Sequence, residues 1–307
     1  RGLRPLLGAL AAAPALARHR RPGRCHPPRA AAPGAGGRGE EEYFADVFHW
    51  MGISPRRGSP CHKSLSTYFP GALPATALFK RVRGVLETGY GIRRERTTFG
   101  CSLCPDDVSA RPGGFWAQMR AHWGEVVPLG GLGGAPFVGR MGFEAFLARV
   151  PKGRDAVLLF GPHVGILPSG EVGKYLAEGE QQPVPACRAC VAAFEHCLAQ
   201  QGNGAAPVED PLDMQQAWLC SQLAPHAEDI AKAKAPMAAL AYQSYDLVAK
   251  KFFALLDSQA PTGRVALIGG VQISMSDGCE DHFLPIDFEV LQQGEQPRDH
   301  MDAFNKW

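Results

Sequence analysis

Hydrophobic residues recur along the chain in two patterns, helical stripes and short continuous runs. Continuous or β-prone runs predict strands at 97–101, 155–161, 265–273 and 283–291. The spacing i, i+3, i+4 and i+7 predicts helices at 43–51, 75–86, 115–123, 187–201, 212–223 and 230–256. Strands that alternate with helices predict an α/β fold, a three-layer αβα arrangement around a mainly parallel central sheet. In such a fold, functional residues lie past the carboxyl ends of the strands.

The composition is that of a globular protein, with 307 residues of which 45% are hydrophobic and 20% charged. No uninterrupted apolar run reaches the roughly 20 residues of a transmembrane helix, so we expect no membrane span. The nine cysteines are odd in number and irregularly spaced. This favours free thiols in a reducing compartment over a disulfide framework.

Charge divides the chain into two parts. Residues 1–39 contain eight arginines and no acidic residue, and they are rich in alanine, proline and glycine. This composition predicts an organellar transit peptide, with a disordered low-complexity leader as the alternative. Residues 40–307 are expected to form a single domain with 24 basic and 30 acidic side chains. A mildly acidic domain without a basic stripe argues against nucleic-acid binding.

The candidate chemistry is concentrated in two Cys-x-x-Cys pairs and one histidine. Cys101/Cys104 and Cys187/Cys190 lie on either side of a Gly-Pro-His-Val-Gly segment that contains His163. Thiolate and imidazole are ligands that zinc selects. A structural site would use all four thiolates, whereas a catalytic site would use three protein ligands and leave one position for water. A redox dithiol is a weaker alternative, since neither pair has a thioredoxin-like context.

The helical stripe that begins at Cys187 predicts different roles for the two cysteines of the second pair. Cys190 and Cys197 share an apolar face and are expected to be core thiols. Cys187 lies in the first turn, where the helix dipole favours a thiolate, and is the better ligand. His163 follows a predicted strand, where either a ligand or an ordinary turn histidine is possible. In the first pair, the choice between Cys101 and Cys104 stays open.

Cys104 and Asp106 resemble the Cys-x-Asp-x-Arg element of β-type carbonic anhydrases. In that element the cysteine binds zinc and the aspartate receives a hydrogen bond from the water ligand. The fifth position here is Val108, and the nearest candidate for the basic partner is Arg111.

Between Tyr68 and Leu291 the chain resembles the limiting-CO2-inducible B/C proteins of algae, whose active members are theta-type carbonic anhydrases. The matching segments are Phe69-Pro-Gly-Ala72, Phe99-Gly-Cys-Ser-Leu-Cys-Pro-Asp-Asp107, Trp123-Gly-Glu125, Phe137-Val-Gly139, Pro162-His-Val-Gly-Ile166, Ala186-Cys187, Leu267-Ile-Gly-Gly-Val-Gln-Ile273 and Phe283-Leu-Pro285. The resemblance implies a fold similar to β-carbonic anhydrases. It also implies Zn²⁺ held by Cys104, His163 and Cys187.

The implied activity is reversible hydration of CO2 to bicarbonate, with Asp106 and Arg111 as the catalytic residues. The resemblance further implies a homodimer, or a hetero-oligomer with a paralogue, in the chloroplast of an alga that concentrates CO2. The alternative from another class is a CO2- or bicarbonate-responsive scaffold with a structural zinc site and little catalysis.

Overall fold

The computed structural model describes residues 47, 49–106, 114–177, 180–200, 211–258, 263–276, 278–292 and 298–306. Its helices are α1 (Pro60–Tyr68), α2 (Ala75–Tyr90), α3 (Phe115–Trp123), α4 (Gly139–Ala148), α5 (Arg188–Gln200), α6 (Met214–Leu223), α7 (Ala227–Lys232), α8 (Pro236–Asp257) and α9 (Met301–Asn305). Its strands are β1 (Leu73–Pro74), β2 (Thr97–Ser102), β3 (Val126–Pro128), β4 (Asp155–Phe160), β5 (His163–Ile166), β6 (Lys174–Tyr175), β7 (Val184–Pro185), β8 (Val265–Met275), β9 (His282–Leu291) and β10 (Arg298–Asp299).

The main sheet has the strand order β1-β9-β8-β4-β2-β3. Strands β3, β2, β4 and β8 run parallel, whereas β9 runs antiparallel to β8 and β1 pairs antiparallel with β9 at the edge. Every residue of β4 and β8 is buried, as expected for strands that are covered on both faces. The prediction of a mainly parallel central sheet in an α/β fold is therefore confirmed.

Helices cover both faces of this sheet and produce two separate cores. On one face, α1, α4 and α8 pack through residues such as Phe146 and Phe252. On the other face, α2, α3 and α9 pack through residues such as Phe79 and Phe304. A third cluster joins α5, α6 and α7 to α8 and includes Cys104 and Cys187. The three-layer arrangement leaves this third cluster beside the carboxyl ends of the parallel strands.

The predicted elements between 75 and 291 are present, but the predicted helix at 230–256 is wrong as a single unit. It is two helices, α7 and α8, and α8 begins at Pro236. Proline lacks the N–H that a continuing helix requires but fits the first turn of a new one. The predicted helix at 43–51 falls partly outside the described residues; of those that are described, Val47, His49 and Trp50 are helical. No described helix is both long and apolar enough to cross a membrane.

Candidate metal centre

Two neighbouring parallel strands bring the first two candidate residues together. Ser102 at the end of β2 pairs with Phe160 at the end of β4, and the Gly161 amide donates to the Ser102 carbonyl at 3.1 Å. Cys104 lies two residues past β2, and His163 lies three residues past β4. Because parallel strands end at the same edge, the two side chains face a common site.

A close backbone crossing carries the chain from β4 to His163. A Cβ at Gly161 would lie 1.7 Å from the Gly270 carbonyl oxygen, so only glycine fits there. Strand β8 has a register shift between Gly269 and Gly270. Beyond this shift β5 pairs with β8 in parallel, with His163 opposite Gln272. His163 is therefore the first residue of a buried strand, rather than part of the turn that the sequence suggested.

Cys187 is placed by the start of α5. Its carbonyl accepts the first helical hydrogen bond, from the Val191 amide at 3.0 Å, so Cys187 caps the amino end of the helix. The preceding residue Ala186 is tied to β5, because its carbonyl accepts from the Gly165 amide at 3.2 Å. The helix start and this hydrogen bond to β5 together fix the position of Cys187.

These elements bring together four possible metal-ligating groups: Cys104, Asp106, His163 and Cys187. Their ligand atoms all lie within 4.8 Å of one another. The Sγ atoms of the two cysteines are 3.5 Å apart, and His163 Nε2 is 3.5 Å from Asp106 Oδ2. The two cysteines and the histidine are buried, whereas the Asp106 side chain is 15% exposed. Asp106 thus lies on the side of the cluster that faces solvent.

The spacing of these atoms fits a tetrahedral zinc ion. With Zn–S bonds of about 2.3 Å, two thiolates on one tetrahedral ion are separated by about 3.8 Å. The observed Sγ–Sγ distance of 3.5 Å is close to this value and far longer than a disulfide bond. Both ring nitrogens of His163 are buried without a hydrogen-bond partner in the described structure. A metal ion at the centre of the cluster would satisfy one of them.

Electrostatic interactions within the cluster raise the pKa values of two of its groups. The pKa of the Cys104 thiol is raised, first by its hydrogen bond with Cys187 and then by burial. Burial alone lowers the pKa of His163, but the charge of Cys187 and the nearby Asp106 carboxylate together raise this pKa well above its ordinary value. Cys104 and His163 therefore hold protons that a divalent ion would displace.

The other candidate residues lie elsewhere. Cys101 is fully buried in the core on the α2 and α3 face, so the structure brings Cys104, and not Cys101, into the cluster. Cys190 and Cys197 are core thiols in the third cluster, as their stripe predicts. Arg111 is outside the described residues.

The family profile for limiting CO2-inducible proteins B/C, beta carbonic anhydrases, matches residues 72–292. The crystal structure of PtLCIB4, a homolog of the limiting CO2-inducible protein LCIB, is similar with 27% sequence identity and a TM-score of 0.69. That match covers 77% of this chain and 98% of PtLCIB4.

LCIB itself is similar in fold, with 23% identity and a TM-score of 0.60 over 78% of this chain and 97% of LCIB. No curated protein matches the chain in sequence. The profile match spans most of the chain, and a Cys-His-Cys cluster lies at the carboxyl ends of its parallel strands. The chain therefore belongs to the limiting CO2-inducible protein B/C family of β-carbonic-anhydrase-like proteins.

Proposed function

We propose that the protein binds one zinc ion through Cys104, His163 and Cys187 and catalyses the reversible hydration of CO2 to bicarbonate. The observation that carries this proposal is the buried Cys-His-Cys cluster, whose Sγ–Sγ distance of 3.5 Å suits a single tetrahedral zinc ion. Membership of a β-carbonic-anhydrase-like family supports the choice of CO2 and bicarbonate as substrates.

The residues around the metal have two roles: Cys104, His163 and Cys187 bind it, and Asp106 orients the water. Bound zinc supplies a Lewis acid that makes water nucleophilic near neutral pH. The two cysteine thiolates offset the charge of the cation, so the site is less acidifying than one built from three histidines. A hydrogen-bond acceptor beside the site then matters more, and Asp106 takes this role by orienting the attacking water toward CO2.

Proton release completes the reaction. One water and one CO2 give bicarbonate and one proton, which has to reach the solvent. Asp106 is the partly exposed member of the cluster, so it lies on the route to bulk buffer. Arg111 is proposed to keep Asp106 ionised and turned away from the metal, since a nearby cation favours the charged carboxylate.

The second candidate is a CO2- or bicarbonate-responsive scaffold with a closed structural zinc site. One distance favours it: Asp106 Oδ2 lies 3.5 Å from His163 Nε2, close to the separation of two ligands on one tetrahedral zinc ion. In this candidate Asp106 fills the fourth position and leaves none for water. Absorption spectra of the cobalt-substituted protein distinguish the two, because an open position changes its spectrum with pH or added anions and a closed one does not.

We further propose a plastid location, in an alga that concentrates CO2, for a domain of residues 40–307 that forms a homodimer or pairs with a paralogue. The arginine-rich, acid-free composition of residues 1–39 supports the location. Import assays with isolated chloroplasts test the targeting, and analytical ultracentrifugation tests the assembly.

Stopped-flow measurement of CO2 hydration tests the main proposal. The full chain loaded with zinc is expected to hydrate CO2 above the buffer rate, and removal of the metal by a chelator should abolish this activity. If the protein holds one equivalent of zinc and gives only the buffer rate, this result would contradict the enzymatic proposal and favour the scaffold candidate.

A further inference from the structure

A small cavity lies beside His163, between β5, α5 and α8. Its volume is about 10 Å³, and its lining includes His163 and Cys187 but neither Cys104 nor Asp106. Most of the remaining lining is apolar and comes from α5 and α8, for example Val191 and Leu240. Among the described residues that line the cavity, Ser244 of α8 is the one besides His163 whose side chain contains an oxygen or nitrogen atom.

Ser244 and His163 both have buried polar atoms that lack a hydrogen-bond partner in the described structure. Ser244 is 3% exposed, and its Oγ has no hydrogen-bond partner in the described structure. The same is true of both ring nitrogens of His163, which is also buried. Buried polar groups are nearly always hydrogen-bonded, to protein or to ordered water. Two unpartnered polar groups on one cavity therefore indicate a shared partner.

The geometry of the imidazole ring determines which nitrogen needs that partner. Nε2 faces the cluster of candidate ligands, since it lies 3.5 Å from Asp106 Oδ2. To bind a metal through Nε2, the neutral ring must carry its proton on Nδ1, and that N–H requires an acceptor. His163 lines the cavity, but Asp106, the neighbour of Nε2, does not, which leaves Nδ1 as the ring nitrogen for the cavity side.

We propose that Ser244 is a positioning residue for His163 and acts through a single buried water molecule in this cavity. The volume, about 10 Å³, is near the lower limit for one water. The water accepts a hydrogen bond from His163 Nδ1 and donates one to Ser244 Oγ. This fixes the Nδ1–H tautomer and turns Nε2 toward the metal. The inference rests on the proposed zinc site, since it concerns how one of its ligands is oriented.

Zinc affinity, measured by competition with a chromophoric chelator on the full chain, tests the proposal. Ser244→Ala should weaken zinc binding about tenfold or more, the usual cost of losing a partner of a metal-bound histidine. Ser244→Thr keeps the hydroxyl and should restore most of the affinity. Ser274→Ala is the matched control, because Ser274 is also buried with an unpartnered Oγ but does not line the cavity.

A second measurement separates positioning from general stability. Long-range ¹H–¹⁵N spectra of the zinc-loaded protein should show His163 as the Nδ1–H tautomer, and Ser244→Ala should broaden or shift that signal while Ser274→Ala does not. Unchanged affinity in Ser244→Ala overturns the inference, and so does a high-resolution structure in which Ser244 Oγ instead bonds the Leu240 carbonyl one turn earlier. Failure of the unmutated protein to bind zinc would refute the proposed function itself.

Discussion

The thiol groups of Cys104 and Cys187 lie 3.5 Å apart, although the two residues are 83 positions apart in sequence. Each belongs to a Cys-x-x-Cys pair, yet only one member of each pair reaches the cluster. Cys101 is buried against α2 and α3, and Cys190 packs along the apolar face of α5. The similarity of the two pairs in sequence therefore does not correspond to a four-thiolate site.

The two pairs provide matched variants for the zinc site. Cys104→Ala and Cys187→Ala should each abolish stoichiometric zinc binding, because each would remove one of three ligands. Cys101→Ala and Cys190→Ala should keep the metal, since neither thiol belongs to the cluster. Atomic absorption on the purified variants gives the zinc content. Zinc loss from Cys101→Ala or Cys190→Ala with unchanged thermal stability would contradict the ligand assignment.

His163→Ala should likewise release zinc, and it should do so without the need for a chelator. Full zinc retention in this variant would mean that the imidazole is not a ligand.

Asp106→Ala distinguishes an open zinc site, with one position for water, from a closed site in which protein fills all four positions. In the enzymatic proposal the variant keeps its zinc and hydrates CO2 more slowly by about tenfold or more, because Asp106 orients the attacking water. In the closed-site candidate it loses zinc affinity instead, because a ligand is gone. Stopped-flow kcat/KM and zinc content are measured together, and Asp107→Ala is the control. Unchanged turnover would remove Asp106 from the mechanism.

Local patterns in the sequence were sufficient to predict much of this arrangement. The continuous apolar run of β4 and the β-prone run of β2 predict two strands of a mainly parallel sheet, so Cys104 and His163 are expected past their carboxyl ends. That the two strands are neighbours comes from the structure. The stripe of α5 assigns Cys190 and Cys197 to the core and leaves Cys187 at the helix start. These inferences depend on spacing along single elements, which sequence periodicity reports directly.

Features that depend on contacts between distant segments were not predictable. The crossing of Gly161 over Gly270 requires knowing that β4 and β5 both pair with β8, and glycine alone does not reveal this. Ser244 lies in the middle of a long helix, 81 positions after His163, with no local motif. Ser244 and His163 line the same cavity because α8 packs against β5. Only the tertiary structure determines that contact.

The crossing at Gly161 predicts a severe effect of a single methyl group. Gly161→Ala would place a carbon 1.7 Å from the Gly270 carbonyl oxygen, so β4, β5 or β8 would have to move. We expect a loss of zinc binding together with a large loss of stability. Gly153→Ala is the control: its φ is also positive, at 74°, but nothing lies within 4 Å of the added carbon. That variant should lose only about 1–2 kcal/mol of unfolding free energy. Urea titration followed by circular dichroism measures both, and equal losses would contradict the steric argument.

Asp281 is expected to stabilise the junction between α3 and β8. Its carboxylate accepts hydrogen bonds from the buried amides of Phe115 and Met275, each at 3.1 Å, and thereby ties the start of α3 to β8. Asp281→Ala leaves both amides without this acceptor, and an unsatisfied buried group costs about 1–3 kcal/mol. We expect a decrease of about 2 kcal/mol or more in the free energy of unfolding. Glu144→Ala, at an exposed position on α4, should change it by less than about 0.5 kcal/mol.

Zinc affinity should fall as pH falls. The pKa of Cys104 is raised by its hydrogen bond with Cys187 and by burial, and that of His163 is raised by the charge of Cys187 and by Asp106 against the opposing effect of burial. Below these raised pKa values Cys104 and His163 are protonated in the metal-free protein. Bound zinc requires deprotonated ligands, so binding releases protons. Each proton released makes the Kd for zinc increase about tenfold per unit decrease in pH. Chelator competition at pH 6, 7 and 8 gives the slope, and calorimetry in two buffers of different ionisation enthalpy counts the protons. A Kd independent of pH over this range would show that zinc is bound by groups other than the thiols and the imidazole.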